Sequence, residues 1–292
     1  MTGWVFVVLK IYEIVARFCR QAAFRPLGGL LEILLLAMVP CYCLEAARRP
    51  DPPDQGQAVV LFNPPGGVLT NRATVALRYH GPGEVRYTTD GSVPTTNASI
   101  YREPLEVNRS LYLRARVFIE GRPAGPVGAA AYTLLSPEVV AFNSNLPLVL
   151  INTFGGPVVD DVKNPAWMMT WHTNEGRASL QGVPQWQGRI GVEYRGSSSR
   201  RAPKSSYGIE CWDENGLEDA KAPLLGLPAE SDWVLYGPYS DKTLMRDVLA
   251  YDLWESMGHY SVRRRFVEVF LARHHQPLTA RDYQGVYVLL EK

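Results

Sequence analysis

The residues with most chemistry to offer lie between 195 and 204. The run Arg195-Gly196-Ser197-Ser198-Ser199-Arg200-Arg201-Ala202-Pro203-Lys204 separates two alternating segments, Gly188 to Tyr194 and Ser206 to Cys211. Alternation of that kind marks strands, so the run is a loop joining them. Its small residues let backbone N–H groups approach an anion, and Ser197 and Ser198 add hydroxyl donors. Arg195 and Lys204 at the two ends supply positive charge. This is chemistry suited to phosphate; the plain alternative is a basic hairpin that meets only solvent. Asp160-Asp161 is the one place that suggests a metal. Adjacent acids on a strand point to opposite faces and no third ligand is spaced nearby, so the pair reads as a solvated loop. His172 beside Trp171 reads as structural, and His80 is a lone loop histidine. The residues nominate no catalytic group and no metal ligand.

The elements that must position this loop follow from periodicity. Pro147 to Ile151 is a short apolar run and reads as a buried strand. The stretch after it, with its cluster Trp167, Met168, Met169 and Trp171, reads as loose. Ser240 is a good N-cap and Asp241 suits a helix start. Leu244, Val248 and Tyr251 share one face, and Gly258 sits where a terminating glycine belongs, so a helix is expected over 241–257. Arg265 to Leu271 and Gly285 to Leu290 read as two more strands. Strands, loop, strand, helix and strands in that order give an α+β fold for residues 145–292. It would have a mixed or antiparallel sheet and one main helix, like the small lobe of a protein kinase.

Upstream, the period is two throughout. Val75, Leu77 and Tyr79, then Val85 and Tyr87, then Leu111, Leu113, Ala115, Val117 and Ile119 alternate with other residues. Pro64-Pro65-Gly66-Gly67, Gly81-Pro82-Gly83, Asp90-Gly91 and Glu120-Gly121 separate them. Residues 57–134 therefore form an all-β, immunoglobulin-like sandwich. Residues 48–56 are a Pro-rich linker. Residues 1–47 hold an apolar run, Leu27 to Val39, preceded by Lys10, Arg17, Arg20 and Arg25. The run is shorter than the roughly 20 residues that span a bilayer. It fits either a signal peptide or a membrane anchor, and both imply an extracytoplasmic protein. Of the 4 cysteines, only Cys211 lies beyond this segment, so no disulfide is expected in the body. With 292 residues, 46% hydrophobic content and net charge +1, the chain is globular and is no nucleic-acid-coating protein.

Two resemblances add to this. The strings RGSSSRRAPKSSYGIE, LLGLPAESDWVLYGPYSDKTLMRDVLAYDLW, RFVEVFL and YQGVYVLLEK resemble the CotH kinase family of spore-coat-protein-H-like atypical kinases. Tyr87-Thr88-Thr89-Asp90-Gly91-Ser92-Val93-Pro94-Thr95 with Ser99, Tyr101 and Pro104 resembles the chitobiase/β-hexosaminidase C-terminal-type module. The first resemblance implies an exported kinase that uses ATP with Mg²⁺ and phosphorylates Ser or Thr of surface or coat proteins. It places Arg195, Ser197, Ser198 and Lys204 at the phosphates. Arg246 would orient a phosphate or pair with an acid such as Asp241, as a capping pair would. Glu268 and Glu291 would face the nucleotide. The family's catalytic Asp residues come after the last strand seen here, so the chain reads as the nucleotide-facing part of such a kinase. The other function class is a non-catalytic cell-surface or coat-assembly protein. The sandwich reads as a spacer. A carbohydrate-binding role would use Tyr87, Tyr101 or Tyr112 as stacking platforms, and that needs several exposed coplanar aromatics.

Overall fold

A computed structural model of the chain describes residues 58–197, 202–214 and 218–292. The leader, the linker and Ser198 lie outside the described residues. Eight strands come first: β1 (Leu61–Asn63), β2 (Gly67–Leu69), β3 (Ala73–Arg78), β4 (Glu84–Thr88), β5 (Ser99–Ile100), β6 (Leu105–Val107), β7 (Leu111–Ile119) and β8 (Arg122–Leu134). They form two sheets, β1-β3-β6 and β2-β8-β7-β4-β5. Val75, Leu77, Val85, Leu113, Ala115, Val117 and Tyr132 fill the space between them. All of these but Tyr132 are alternating positions read from the sequence, and alternation works because successive side chains on a strand point to opposite faces.

A short helix, α1 (Pro137–Val140), and β9 (Asn143–Ser144) lead into the second part. There follow β10 (Leu148–Asn152), β11 (Asn164–Trp171), β12 (Ala178–Ser179), β13 (Trp186–Arg195), β14 (Ser206–Cys211), β15 (Asp232–Tyr236), helix α2 (Arg246–Ser256), β16 (Arg264–Ala272) and β17 (Tyr283–Glu291). Seven of these strands close into a barrel in the order β10-β11-β13-β14-β15-β17-β16. The expected α+β kinase-like small lobe is therefore corrected: the described chain is nearly all β, with only two α-helices. Closure comes from a parallel pairing of β10 with β16, Leu148 opposite Glu268 through Asn152 opposite Ala272. Pairing between strands so distant in sequence leaves no local signal. The stretch read as loose contains β11, which joins β10 to β13.

The barrel is filled. Val149, Ile151, Met168, Ile190, Val192, Tyr207, Ile209, Cys211, Trp233, Leu235, Val267, Val269, Leu271, Tyr287 and Leu289 pack inside it. Trp233 is fully buried, and truncating such a residue to alanine costs about 3–5 kcal/mol. Trp212 lies across Gly191, where an added Cβ would come within 2.1 Å of its ring. Only glycine permits that approach. Helix α2 packs outside, with Val248 and Tyr251 against Val234, Val288 and Leu290. It is shorter at its start than the sequence suggested. Asp241 does not begin the helix but precedes it, accepting from the Arg246 amide at 2.8 Å and the Thr243 amide at 3.0 Å.

Sandwich and barrel share a second core. Tyr112 and Ala131 of the sandwich pack with Leu148, Leu150, Trp167, Met169 and Phe270 on the outer face of the barrel. Tyr112 lies 5.3 Å from the Trp167 ring, centroid to centroid. Arg114, 2% exposed, donates to the Gly91 carbonyl at 3.2 Å and to the Glu214 carbonyl. The Tyr112 hydroxyl donates to the Glu214 carboxylate at 3.2 Å. So β7 buries both its faces, one in the sandwich and one on the barrel.

Candidate functional site

The β13–β14 hairpin carries the basic loop, with Arg195 opposite Ser206 in register. Alternation then sends the two end cations to different sides. Val192 and Tyr194 point inward, so Arg195 points outward, where it lies near Lys163, Glu193, Asp232 and Lys292. Ser197 is exposed on the loop. Lys204 turns inward over the barrel mouth. Its ammonium donates to the Val286 carbonyl and sits 4.5 Å from the centroid of the Tyr287 ring, a favourable cation–π arrangement. Burial lowers its pKa below the ordinary lysine value, because desolvation disfavours the charged form. Gly285 faces it with a φ of +87°, and a Cβ there would stand 3.4 Å from the ammonium nitrogen.

Three tyrosines line this mouth. Tyr194 stacks on Tyr207 at 5.7 Å between centroids, and Tyr207 meets Tyr287 at 6.0 Å. The Tyr287 hydroxyl donates to the Ser205 carbonyl at 2.9 Å, and the Gly237 amide donates to the Ser206 hydroxyl at 3.0 Å. These bonds tie the incoming end of β14 to β15 and β17, and so fix the base of the Lys204 side chain.

The other nominated residues are not brought to this mouth. Glu268 is opposite Val286 but on the outside of the wall. It accepts from the Ser144 hydroxyl at 2.6 Å and the Tyr283 hydroxyl at 2.8 Å, which pins β9 to the barrel. Glu291 lies five residues beyond Val286 along β17, about 17 Å away at the rise of an extended strand. It is buried and accepts from the Arg263 amide at 3.0 Å, the Arg263 guanidinium and the Tyr260 hydroxyl. Burial pushes its carboxyl up, but these donors outweigh that and hold it below the usual glutamate range. Arg246 opens α2, with its side chain 3.6 Å from Asp241. That is the capping and salt-bridge pair that the sequence allowed.

Residues 192–292 match the CotH kinase protein family. The CotH match begins within β13 and contains the basic loop, Lys204, the whole of α2 and the last strand. Residues 64–128 match the Chitobiase/beta-hexosaminidase C-terminal domain, within the sandwich. The two modules thus stand in the order read from the sequence. A comparison with curated proteins gave no match.

Tyr112, one of the three candidate sugar platforms, is buried against the barrel, and Tyr87 and Tyr101 pack on the sandwich core. Sequence reasoning missed Arg273, which reaches the Tyr194 hydroxyl at 2.8 Å. Its position just past a strand end carried no motif. The available signal was parity: 267, 269 and 271 point into the barrel, and 273 follows them.

Proposed function

We propose that this chain is part of an exported, CotH-like protein kinase that uses ATP and phosphorylates Ser or Thr of surface or coat proteins. Its barrel mouth holds the nucleotide's phosphates. One observation carries this reading: within the CotH-matching segment, Lys204 holds a partly desolvated ammonium over an aromatic mouth, bonded among the described residues to a carbonyl and a ring. A cation in such surroundings costs free energy unless an anion joins it. The residues therefore fit ATP, with Lys204 as the inner cation and Arg195 at the outer edge of the hairpin. They do not fit Mg²⁺. Glu268 and Glu291 are occupied by protein donors at separate places, and no cluster of three or more ligating side chains exists among the described residues. ATP supplies the phosphoryl group; these residues bind and orient it. Export rests on the leader's composition. No helix among the described residues is long and apolar enough to cross a membrane.

The test is ATP binding to the full chain by calorimetry, with Lys204→Ala beside it. Losing a charged hydrogen bond of about 1.5–3 kcal/mol weakens binding roughly 10- to 100-fold. A folded chain that binds no ATP, or a Lys204→Ala variant that binds as tightly, overturns the reading. That outcome favours the second one, a non-catalytic surface or coat-assembly protein. The barrel's interior, filled by its own side chains, suits such a role.

A further inference from the structure

Arg273 follows the last residue of β16 and reaches the same mouth as Lys204. Its guanidinium donates to the Tyr194 hydroxyl at 2.8 Å and lies 6.0 Å from that ring's centroid. From Tyr194 the aromatic contacts run through Tyr207 to Tyr287, above which Lys204 sits. Burial holds the Tyr207 and Tyr287 phenols above the ordinary tyrosine value, and the charge of Arg273 pulls both back down. Arg273 is thus electrostatically close to the whole mouth.

The two cations differ from their neighbours in what they pair with. Arg246, Arg263 and Arg264 each meet a carboxylate. Among the described residues, neither Arg273 nor Lys204 does. Arginine has five N–H donors and lysine three. Tyr194 takes one from Arg273 and Val286 takes one from Lys204, so most of their donors are left for a ligand. A ligand that suits two such cations carries several anionic groups, so that one can pair with the guanidinium while another meets the ammonium.

Arg273 is also held in place from the sandwich. Two residues on, the His275 ring nitrogen Nδ1 is 2.9 Å from the Ser110 carbonyl oxygen. The Ser110 amide donates back to the His275 carbonyl at 2.8 Å, and its hydroxyl donates to the Gln276 carbonyl at 3.2 Å. Leu278 closes the loop, its amide donating to the Leu134 carbonyl at 2.7 Å. The start of β7 and the end of β8 therefore fix the segment that presents Arg273.

We infer that Arg273 is the second cation of the phosphate site, binding the polyphosphate of a nucleotide together with Lys204, and that the sandwich sets its position through Ser110 and His275. This rests on the nucleotide reading above. The experiment is calorimetric titration of the full chain with ATP, inorganic tripolyphosphate and orthophosphate. Wild type, Arg273→Ala, Arg273→Lys and Tyr194→Phe are compared, with melting curves to confirm folding. Arg273 is exposed, so its substitution leaves the core intact. The expected result is tripolyphosphate and ATP binding weakened about tenfold or more in Arg273→Ala. Arg273→Lys recovers part of it, and Tyr194→Phe, which removes only the orienting hydroxyl, gives a smaller loss. Wild-type binding of ATP with an unchanged Arg273→Ala overturns this inference and leaves the nucleotide reading standing. Wild type that binds neither ATP nor tripolyphosphate overturns both.

Discussion

Replacing Arg114 with alanine tests whether sandwich and barrel are one folding unit. The guanidinium lies in the seam, bridging the Gly91 carbonyl of the sandwich and the Glu214 carbonyl of the barrel. Each bond from a charged donor is worth about 1.5–3 kcal/mol, so the pair amounts to roughly 3–6 kcal/mol. Two facts push towards the lower end. Among the described residues the Nε–H of Arg114 is buried with no partner, which already costs the native state. Water entering the vacated space can also satisfy the carbonyls in part. A loss of about 3 kcal/mol follows, equivalent to a Tm drop of about 6–12 °C for a unit of roughly 150–250 residues. The assay is differential scanning calorimetry of the full chain, with near-UV circular dichroism to follow the barrel's tryptophans. Wild type should give one transition for residues beyond the linker, and Arg114→Ala should move all of it. If two transitions appear and only the smaller one moves, the seam does not couple the two parts and the reasoning fails.

Burial holds the Glu214 carboxyl above the usual glutamate range. Ionising it therefore costs stability as the pH rises past the unfolded value of about 4.3 and through the higher folded one. Glu214→Gln keeps an acceptor for the Tyr112 hydroxyl, so thermal melts near neutral pH should show a higher Tm than wild type, and a lower one would contradict this. Burial also lowers the Lys204 amine, so ATP affinity should begin to fall with rising pH below the ordinary lysine value of about 10.4. A flat pH profile up to that value would argue against Lys204 as the contact. Cys211 is fully buried, and that burial pushes its thiol up to about 12. It should be inert to thiol reagents in the native protein and react on unfolding; prompt native reaction would mean that the barrel opens.

The sequence announced the strands because alternation is a local property. It nominated Lys204 because a small-residue loop with cations at its ends is local too. What it could not announce was partnership at a distance. Arg114 alternates with core residues of β7 and so looks solvent-facing, yet the barrel covers that face. The Trp167–Trp171 cluster looked loose because its apolar residues are continuous, and they are continuous because β11 is covered on both sides. The parallel β10–β16 pairing that turns a lobe-like sheet into a barrel joins segments more than a hundred residues apart. The α2 start was misplaced because Asp241 has the chemistry of a cap but acts from a turn ahead of the helix. Glu268 and Glu291 were nominated from a resemblance, and the structure shows each accepting from protein donors away from the mouth.

The contacts that alternation hides bear on function. The sandwich was read as a spacer because its own core is sufficient to explain its alternating residues. The face that alternation left over turns out to be spent on the barrel: Tyr112 fills a gap beside Trp167, Arg114 clamps the Glu214 turn, and Ser110 grips the loop that ends in His275. A spacer needs none of these contacts, since a linker holds domains apart more cheaply in buried polar groups. Their presence makes the sandwich part of the scaffold that aims Arg273 at the barrel mouth. Leu148, Leu150, Trp167, Met169 and Phe270 would be left as a continuous apolar surface without it, which an isolated barrel could not keep in water without associating.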